Sequence, residues 1–150
     1  MSLKERINAD IKAAMKAKNK DDLRALRGIK SLIMLAETEK GGGDELSEDT
    51  EVKLLMKAAK QRKDSAEVYK EQGRDDLHAT EMSEYEVISR YLPKQMTEAE
   101  LTEALQAIIA EVGASGPKDM GKVMGVATKQ LAGKAEGKAI SATVKALLNQ

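Results

Sequence analysis

The chain of 150 residues contains no cysteine and a single histidine, His78. The lack of cysteine excludes disulfides, zinc–thiolate sites and thiol nucleophiles. The sequence has no nucleophile elbow, no HExxH helix and no EF-hand loop, and nothing in it supplies His78 with partners for a triad or a metal site. We therefore expect His78 to be an exposed residue early in a helix. We expect no catalytic residue, no metal and no cofactor.

Aromatic side chains are also scarce, since the chain has three tyrosines and neither phenylalanine nor tryptophan. All-β domains and base-stacking surfaces both depend on aromatic residues, so both are disfavoured. No stretch of 18 apolar residues predicts a transmembrane helix, and the charged segment MSLKERINADIKAAMK is not a signal peptide. Together with the missing cysteine, this predicts a cytoplasmic protein with no membrane partner.

The residues present in quantity are Ala, Leu, Met, Lys and Glu, which are strong helix formers. Apolar residues recur at helical spacing, as in Leu101, Leu105 and Ile108. Pro93 biases Leu92 out of the helical region and so marks a boundary between helices. The sequence predicts an all-α protein, with a four-helix domain over residues 1–92 and a smaller three-helix domain over residues 93–150.

Capping residues predict where these helices begin and end. The predicted starts are Ser2 with Glu5, Asp21 or Asp22, Ser47, Asp75 or Asp76, and Thr97 with Glu100. The predicted ends include the glycines of GGG at 41–43, Gly73 and Gly113. The last two helices are predicted over about 118–131 and 136–148.

A nucleotide-binding motif is suggested by Gly116, Gly121 and Lys122, which stand at the spacing of a Walker loop. The apolar run before them belongs to the helical stripe that starts at Leu101, so the strand that such a loop follows is missing. The residue after the lysine is Val123, whereas a Walker loop needs Ser or Thr there to bind magnesium. We therefore do not expect ATP binding at this segment.

The glycines of this segment still need an explanation. Gly121 and Gly125 lie one turn apart in the predicted sixth helix, and glycine in a helix interior costs about 1 kcal/mol relative to alanine. Either another helix packs closely over them, or the backbone of a ligand approaches them. The sequence leaves both explanations open.

Positive charge is concentrated at the end of a chain that is neutral overall. Residues 116–150 contain six lysines and two carboxylates, a net charge of +4. Such a segment favours an anionic partner, and a solvated surface is the alternative. Lys57, Lys60 and Lys63 form a second basic group on the predicted third helix, for which phosphate contact and simple solvation are again the two interpretations.

Several segments together resemble stand-alone YqeY proteins of the GatB/YqeY family. They are SLKERI (2–7), KQRKDS (60–65), YLPKQM (91–96), EVGASGPKDMGKVMG (111–125) and LAGKAEGK (131–138). The resemblance covers essentially the whole chain. It implies an all-α fold in which an N-terminal helical bundle precedes a smaller three-helix C-terminal domain.

The resemblance also suggests a function. A similar region forms a tail on the GatB subunit of the glutamine-dependent tRNA amidotransferase, a carbon–nitrogen ligase, where it is understood to help hold the tRNA while the chemistry occurs elsewhere. It implies a non-catalytic module that binds tRNA, or a tRNA synthetase or amidotransferase assembly. The expected contacts are Lys118, Lys122, Lys134 and Lys138, with Gly121, Gly125, Gly133 and Gly137 allowing close approach.

We expect helix N-termini and loop amides to add donors to the phosphate oxygens. A protein-docking adaptor without RNA contact and an enzyme remain the alternatives. The RNA, the protein partner and the oligomeric state do not follow from the sequence.

Overall fold

The computed structural model describes residues 1–39, 41 and 45–150, and in this part of the chain every regular element is a helix. The predicted all-α class is thereby confirmed. The chain divides into two compact units, Met1–Leu92 and Pro93–Gln150. The helices are α1 Leu3–Ala17, α2 Lys20–Glu39, α3 Glu48–Glu71, α4 Asp75–Ser89, α5 Glu98–Val112, a short 3₁₀ helix Pro117–Asp119, α6 Met120–Gln130 and α7 Gly137–Leu148.

In the N-terminal unit, α1 packs against α2 and α3 packs against α4, while α2 also contacts α3 and α4. Each helix contributes apolar residues at helical spacing to one common core. Its most deeply buried side chains are Ile7, Ile29, Leu55 and Val87, none of which is more than 2% exposed. Burial of these side chains is the main favourable term holding the four helices together.

Hydrogen bonds between α3 and α4 supplement this apolar packing. The Arg62 guanidinium on α3 donates to Glu81 at 3.2 Å and to Glu84 at 3.1 Å, both on α4. The imidazole of His78 lies with Nδ1 2.8 Å from the carbonyl oxygen of Ala66. Because a carbonyl only accepts, Nδ1 carries the proton and donates. The prediction that His78 is exposed is wrong, since the ring is half-buried and joins α4 to α3.

The last residues of the N-terminal unit are tied to its first two helices. The Arg90 guanidinium donates to Asp22 of α2 at 2.9 Å, and the Tyr91 hydroxyl donates to Asp10 of α1. The Arg6 guanidinium lies 5.2 Å from the centre of the Tyr91 ring, within the range of a cation–π contact. Burial and the Asp10 carboxylate raise the pKa of Tyr91, so the phenol keeps its proton.

Most of the predicted helix ends are confirmed. Ser2 with Glu5 and Thr97 with Glu100 form complete capping boxes, and the Ser47 hydroxyl accepts from the Thr50 amide. Gly73 and Gly113 follow α3 and α5 with φ angles of 72° and 69°, in the left-handed region that glycine tolerates. Of the predicted glycine turn at 41–43, Gly42 and Gly43 lie outside the described residues.

Two predicted starts are wrong. The cap of α2 is Asn19, whose side-chain oxygen accepts from the Asp22 amide at 3.1 Å. Helix α2 therefore begins at Lys20, before both of the predicted aspartates. At α4 the N-cap position is Arg74, which makes no side-chain cap bond. Its guanidinium binds the Asp76 carboxylate at 3.1 Å instead. In both places an aspartate lies inside the first turn, where its charge suits the helix dipole.

In the C-terminal unit, α5, α6 and α7 each contact the other two. Their shared core contains Leu105, Val123, Ala127 and Val144, all with no exposed side-chain surface. The predicted sixth helix starts as the 3₁₀ turn Pro117–Asp119 and becomes α-helical at Met120. Among the described residues of both units, none of the helices combines the length and apolar character needed to cross a membrane.

Leu105→Ala tests the core of the C-terminal unit. The side chain is 0% exposed, so truncation leaves a cavity and is expected to lower the free energy of unfolding by about 2–5 kcal/mol. Urea titration followed by circular dichroism measures this loss. Glu103→Ala, an exposed position on the same helix, is the control and should change stability by less than about 0.5 kcal/mol. Equal effects of the two variants would contradict the assigned core.

Thr97→Ala tests the capping box that starts α5. Losing the hydroxyl leaves the Glu100 amide without its acceptor, and the expected cost is about 1 kcal/mol. Thr97→Ser keeps the hydroxyl and should stay close to the wild-type midpoint in the same thermal melts. A loss of equal size in both variants would show that the hydrogen bond does not stabilise the helix start.

Candidate nucleic-acid interface

A shallow groove of about 420 Å³ runs along the outer side of α6; we call it the α6 groove. It exists because Val123 and Ala127 turn the opposite side of the helix into the core. The 3.6-residue period then directs Gly121, Gly125 and the lysines of the helix to solvent. The groove is lined by Gly121, Lys122, Gly125, Val126, Lys129 and Gln130.

The two glycines of the α6 groove are uncovered. Gly121 and Gly125 are both exposed, and a methyl group added at either position would meet no heavy atom within 4 Å. Among the described residues, no neighbouring helix packs over them. Packing of a described helix over the glycines, one of the two explanations that the sequence left open, therefore does not account for them.

Two lysines lie beside these glycines on the same side of the helix. Lys122 and Lys129 are exposed and seven residues apart, which corresponds to about 10 Å along the helix axis. The α6 sequence MGKVMGVATKQ contains no acidic residue, although the Asp119 carboxylate lies just before the helix and interacts with Lys122. The α6 groove is therefore a basic surface in which no side chain covers the helix backbone at the two glycines.

Lys129 was not among the contacts predicted from the sequence. It lies four residues after Gly125 and seven after Lys122, so helical periodicity alone would have placed it beside them. That signal was available, because the helix itself was predicted. The sequence prediction named Lys118, Lys122, Lys134 and Lys138 instead.

The other predicted lysines lie elsewhere in the C-terminal unit. Lys118 is exposed on the 3₁₀ helix that leads into α6, and Lys134 is exposed in the loop after α6. Lys138 and Gly137 are exposed in the first turn of α7. None of these four residues lines the α6 groove. The structure thus brings together three of the eight predicted residues, Gly121, Lys122 and Gly125.

Gly133 differs from the other glycines because it is buried. Its φ angle is 77°, and its carbonyl oxygen accepts from the Gln95 side-chain amide at 2.7 Å. The Met96 amide donates to the neighbouring Lys134 carbonyl at 2.9 Å. The expectation that Gly133 allows a ligand to approach is corrected here, since the residue serves a left-handed turn that rests on residues 95–96.

The turn before α6 contains a carboxylate that is hydrogen-bonded within the turn. The Asp119 carboxylate accepts from the Ser115 amide at 2.9 Å. This hydrogen bond lowers the pKa of Asp119, and the ammonium groups of Lys118 and Lys122 lower it further. The ionised carboxylate thus occupies the Ser115 amide, which is one of the loop amides of this unit. The lysines, which point to solvent, remain as the cationic groups of this region.

The second basic group is less strongly positive than its lysines suggest. Lys57, Lys60 and Lys63 are exposed on α3, as their spacing predicted. Asp64 and Glu67 are also exposed, each four residues after one of these lysines. At this spacing opposite charges on a helix are neighbours and offset each other. Of the two basic surfaces, only the α6 groove lacks carboxylates on its own helix.

Comparison with known proteins gives a family match over nearly the whole chain. The family described as Yqey-like protein matches residues 4–148. Three curated relatives each bear the name altered inheritance of mitochondria protein 41, mitochondrial. The relative from Clavispora lusitaniae is 34% identical over 111 residues, which is 73% of this chain and 64% of that protein.

The other two relatives are similarly distant. The protein from Lachancea thermotolerans is 37% identical over 115 residues, covering 74% of this chain and 60% of that protein. The protein from Meyerozyma guilliermondii is 31% identical over 123 residues, covering 80% of this chain and 64% of that protein. The matched region of this chain thus spans less than two thirds of the length of each of these relatives.

These names correct one prediction. All three relatives are named as mitochondrial proteins, which contradicts the cytoplasmic location inferred from the composition and the N-terminal segment. Composition reports the chemistry of a compartment only indirectly, and a chain without cysteine fits more than one compartment. The match over residues 4–148 settles the family: this chain belongs to the Yqey-like protein family.

Proposed function

We propose that the protein is a non-catalytic module that binds tRNA, or a similarly structured RNA, through the α6 groove. The observation that carries this proposal is the pair of uncovered glycines beside two exposed lysines, Lys122 and Lys129, on a helix without carboxylates. Gly125 lies in the interior of α6, where an exposed glycine destabilises the helix, and no described residue packs over it to compensate. Close approach of a phosphate backbone gives both the glycines and the lysines a role.

The kind of contact follows from the residues of the C-terminal unit. Residues 93–150 contain seven lysines, no arginine and no aromatic residue. Lysine acts as a point charge toward phosphate, without the bidentate geometry that arginine offers to a base edge. A surface without aromatic side chains offers no platform for unstacked bases. These features favour recognition of a folded RNA by its shape and backbone, independent of base sequence.

A second candidate is docking onto a protein, such as a subunit of a tRNA-charging or amidotransferase assembly. It is favoured by the four-residue spacing of Gly121 and Gly125, which would also admit a partner helix at short distance. Val126, which is half-buried, would offer that helix an apolar contact. The two candidates differ in their response to salt, because only phosphate neutralisation makes affinity fall steeply with ionic strength.

The double variant Lys122→Ala/Lys129→Ala tests the proposed contact. Loss of two phosphate contacts should weaken binding of an unmodified tRNA transcript by about tenfold or more at moderate salt. It should also make the slope of log K against log salt shallower by about 2. Filter binding over a salt series measures both quantities. The loss should be similar for tRNAs of different sequence, since lysine contacts to phosphate carry no sequence information.

Lys57→Ala/Lys60→Ala on α3 is the control, because it removes the same charge from the surface that carries carboxylates. Its affinity should stay within about twofold of wild type. Lys134→Ala/Lys138→Ala reports whether the interface extends beyond the α6 groove. Unchanged binding and an unchanged salt slope in the Lys122/Lys129 variant would exclude the α6 groove as the RNA contact.

Gly125→Ala separates stability from binding. The added methyl group meets no neighbour, so the variant should be more stable than wild type by about 0.5–1 kcal/mol in urea titrations. The same methyl group would stand between the helix and the RNA backbone and should weaken tRNA binding several-fold.

Gly28→Ala is the matched control for Gly125→Ala. Gly28 is also an exposed glycine in a helix interior with no neighbour for a methyl group, but it lies on α2 of the other unit. It should gain similar stability and leave tRNA binding unchanged. If Gly125→Ala binds tRNA as well as Gly28→Ala does, the RNA backbone does not approach Gly125.

A further inference from the structure

Helix α5 carries negative charge only. Its residues EAELTEALQAIIAEV include Glu98, Glu100, Glu103 and Glu111, all of them exposed, and neither lysine nor arginine. Glu98 and Glu100 serve the start of the helix, where carboxylates suit the dipole and Glu100 completes the capping box. Helix capping therefore accounts for two of the four glutamates.

The remaining two glutamates serve neither the capping box nor an ion pair within the described residues. Glu103 and Glu111 form no ion pair with any residue that the structure describes. Glu111 stands in the last turn of the helix, where a carboxylate is unfavourable because the dipole is negative there. A role outside the helix would account for both.

The other two helices of the unit have the opposite character. α6 carries Lys122 and Lys129, while α7 carries Lys138 and Lys145, and neither helix contains an acidic residue. In both helices the two lysines are exposed and seven residues apart, on one outer side. Since α5, α6 and α7 each contact the other two around one core, their outer sides point in different directions. The outer side of α5 is thus negatively charged, and the outer sides of α6 and α7 are positively charged.

We infer that the C-terminal unit binds RNA in a single orientation, with α6 against the RNA and the outer side of α5 turned away from it. This inference rests on the proposed function. Repulsion between the glutamates of α5 and the phosphates excludes that side from the contact, while the lysines of α6 and α7 attract the same polyanion. The glutamates thereby limit the unit to one RNA and leave α5 exposed in the complex.

Two matched positions test the orientation. Gln130 lies in the α6 groove and Gln106 lies on α5, and both are exposed glutamines. A photo-cross-linking amino acid is placed at one position or the other in the full chain. Cross-links to an unmodified tRNA transcript are measured beside filter binding. The yield from position 130 should exceed that from position 106 by about tenfold or more.

The outcomes distinguish the orientation from the binding itself. Comparable yields from both positions, with binding intact, would overturn the single orientation and leave the proposed function standing. No cross-link from either position together with no binding in the filter assay would overturn the proposed function as well. A cross-link from position 106 alone would show that the RNA lies against α5, and the inference would be wrong.

A charge reversal provides a second test of the same inference. Glu103→Lys/Glu111→Lys should open the side of α5 to RNA, raise the cross-link yield at position 106 toward that at position 130, and allow more than one tRNA per chain at saturation. Glu103→Gln/Glu111→Gln removes the charge without adding an attraction, so it should raise the yield at position 106 less. An unchanged cross-link ratio in the lysine variant would show that these carboxylates do not set the orientation.

Discussion

The burial of one side of α6 determines which residues of the candidate site face solvent. Val123 and Ala127 lose all contact with water between α5 and α7. Because a helix is rigid and has a fixed period, this burial also decides which residues face outward. Gly121, Gly125 and the lysines beside them are exposed as a consequence. The candidate site is therefore the reverse side of a packing interface, and the core holds its geometry in place.

The α6 groove combines features that oppose stability. The two exposed glycines lower the stability of the helix. The two lysines have no carboxylate neighbour on their own helix, whereas the lysines of α3 do. The N-terminal unit, by contrast, pairs its charges between helices, as Arg62 does with Glu81 and Glu84. Exposed glycines and unpaired lysines that gain no compensating contact inside the unit are typical of surfaces that bind a partner.

Much of the fold was predictable because its signals are local. The capping boxes at Ser2 and Thr97, the cap at Ser47 and the glycine ends at Gly73 and Gly113 each depend on neighbours within a few residues. The two failures have different causes. Asn19 is a local cap, three residues before the amide that donates to it, and it was passed over for the nearby aspartates. His78 was judged exposed because its partner, the Ala66 carbonyl, lies on another helix, and a single polar contact between helices leaves no pattern in the sequence.

For the candidate site, the sequence by itself determined the ingredients: glycines one turn apart, an excess of lysine near the end of the chain, and no aromatic side chain after Tyr91. Only the tertiary structure decided which glycines are open. Gly121 and Gly125 are uncovered and Gly133 is buried, although all three lie in similar lysine-rich segments. The physical reason is that exposure depends on what packs nearby, and packing is set by the whole core.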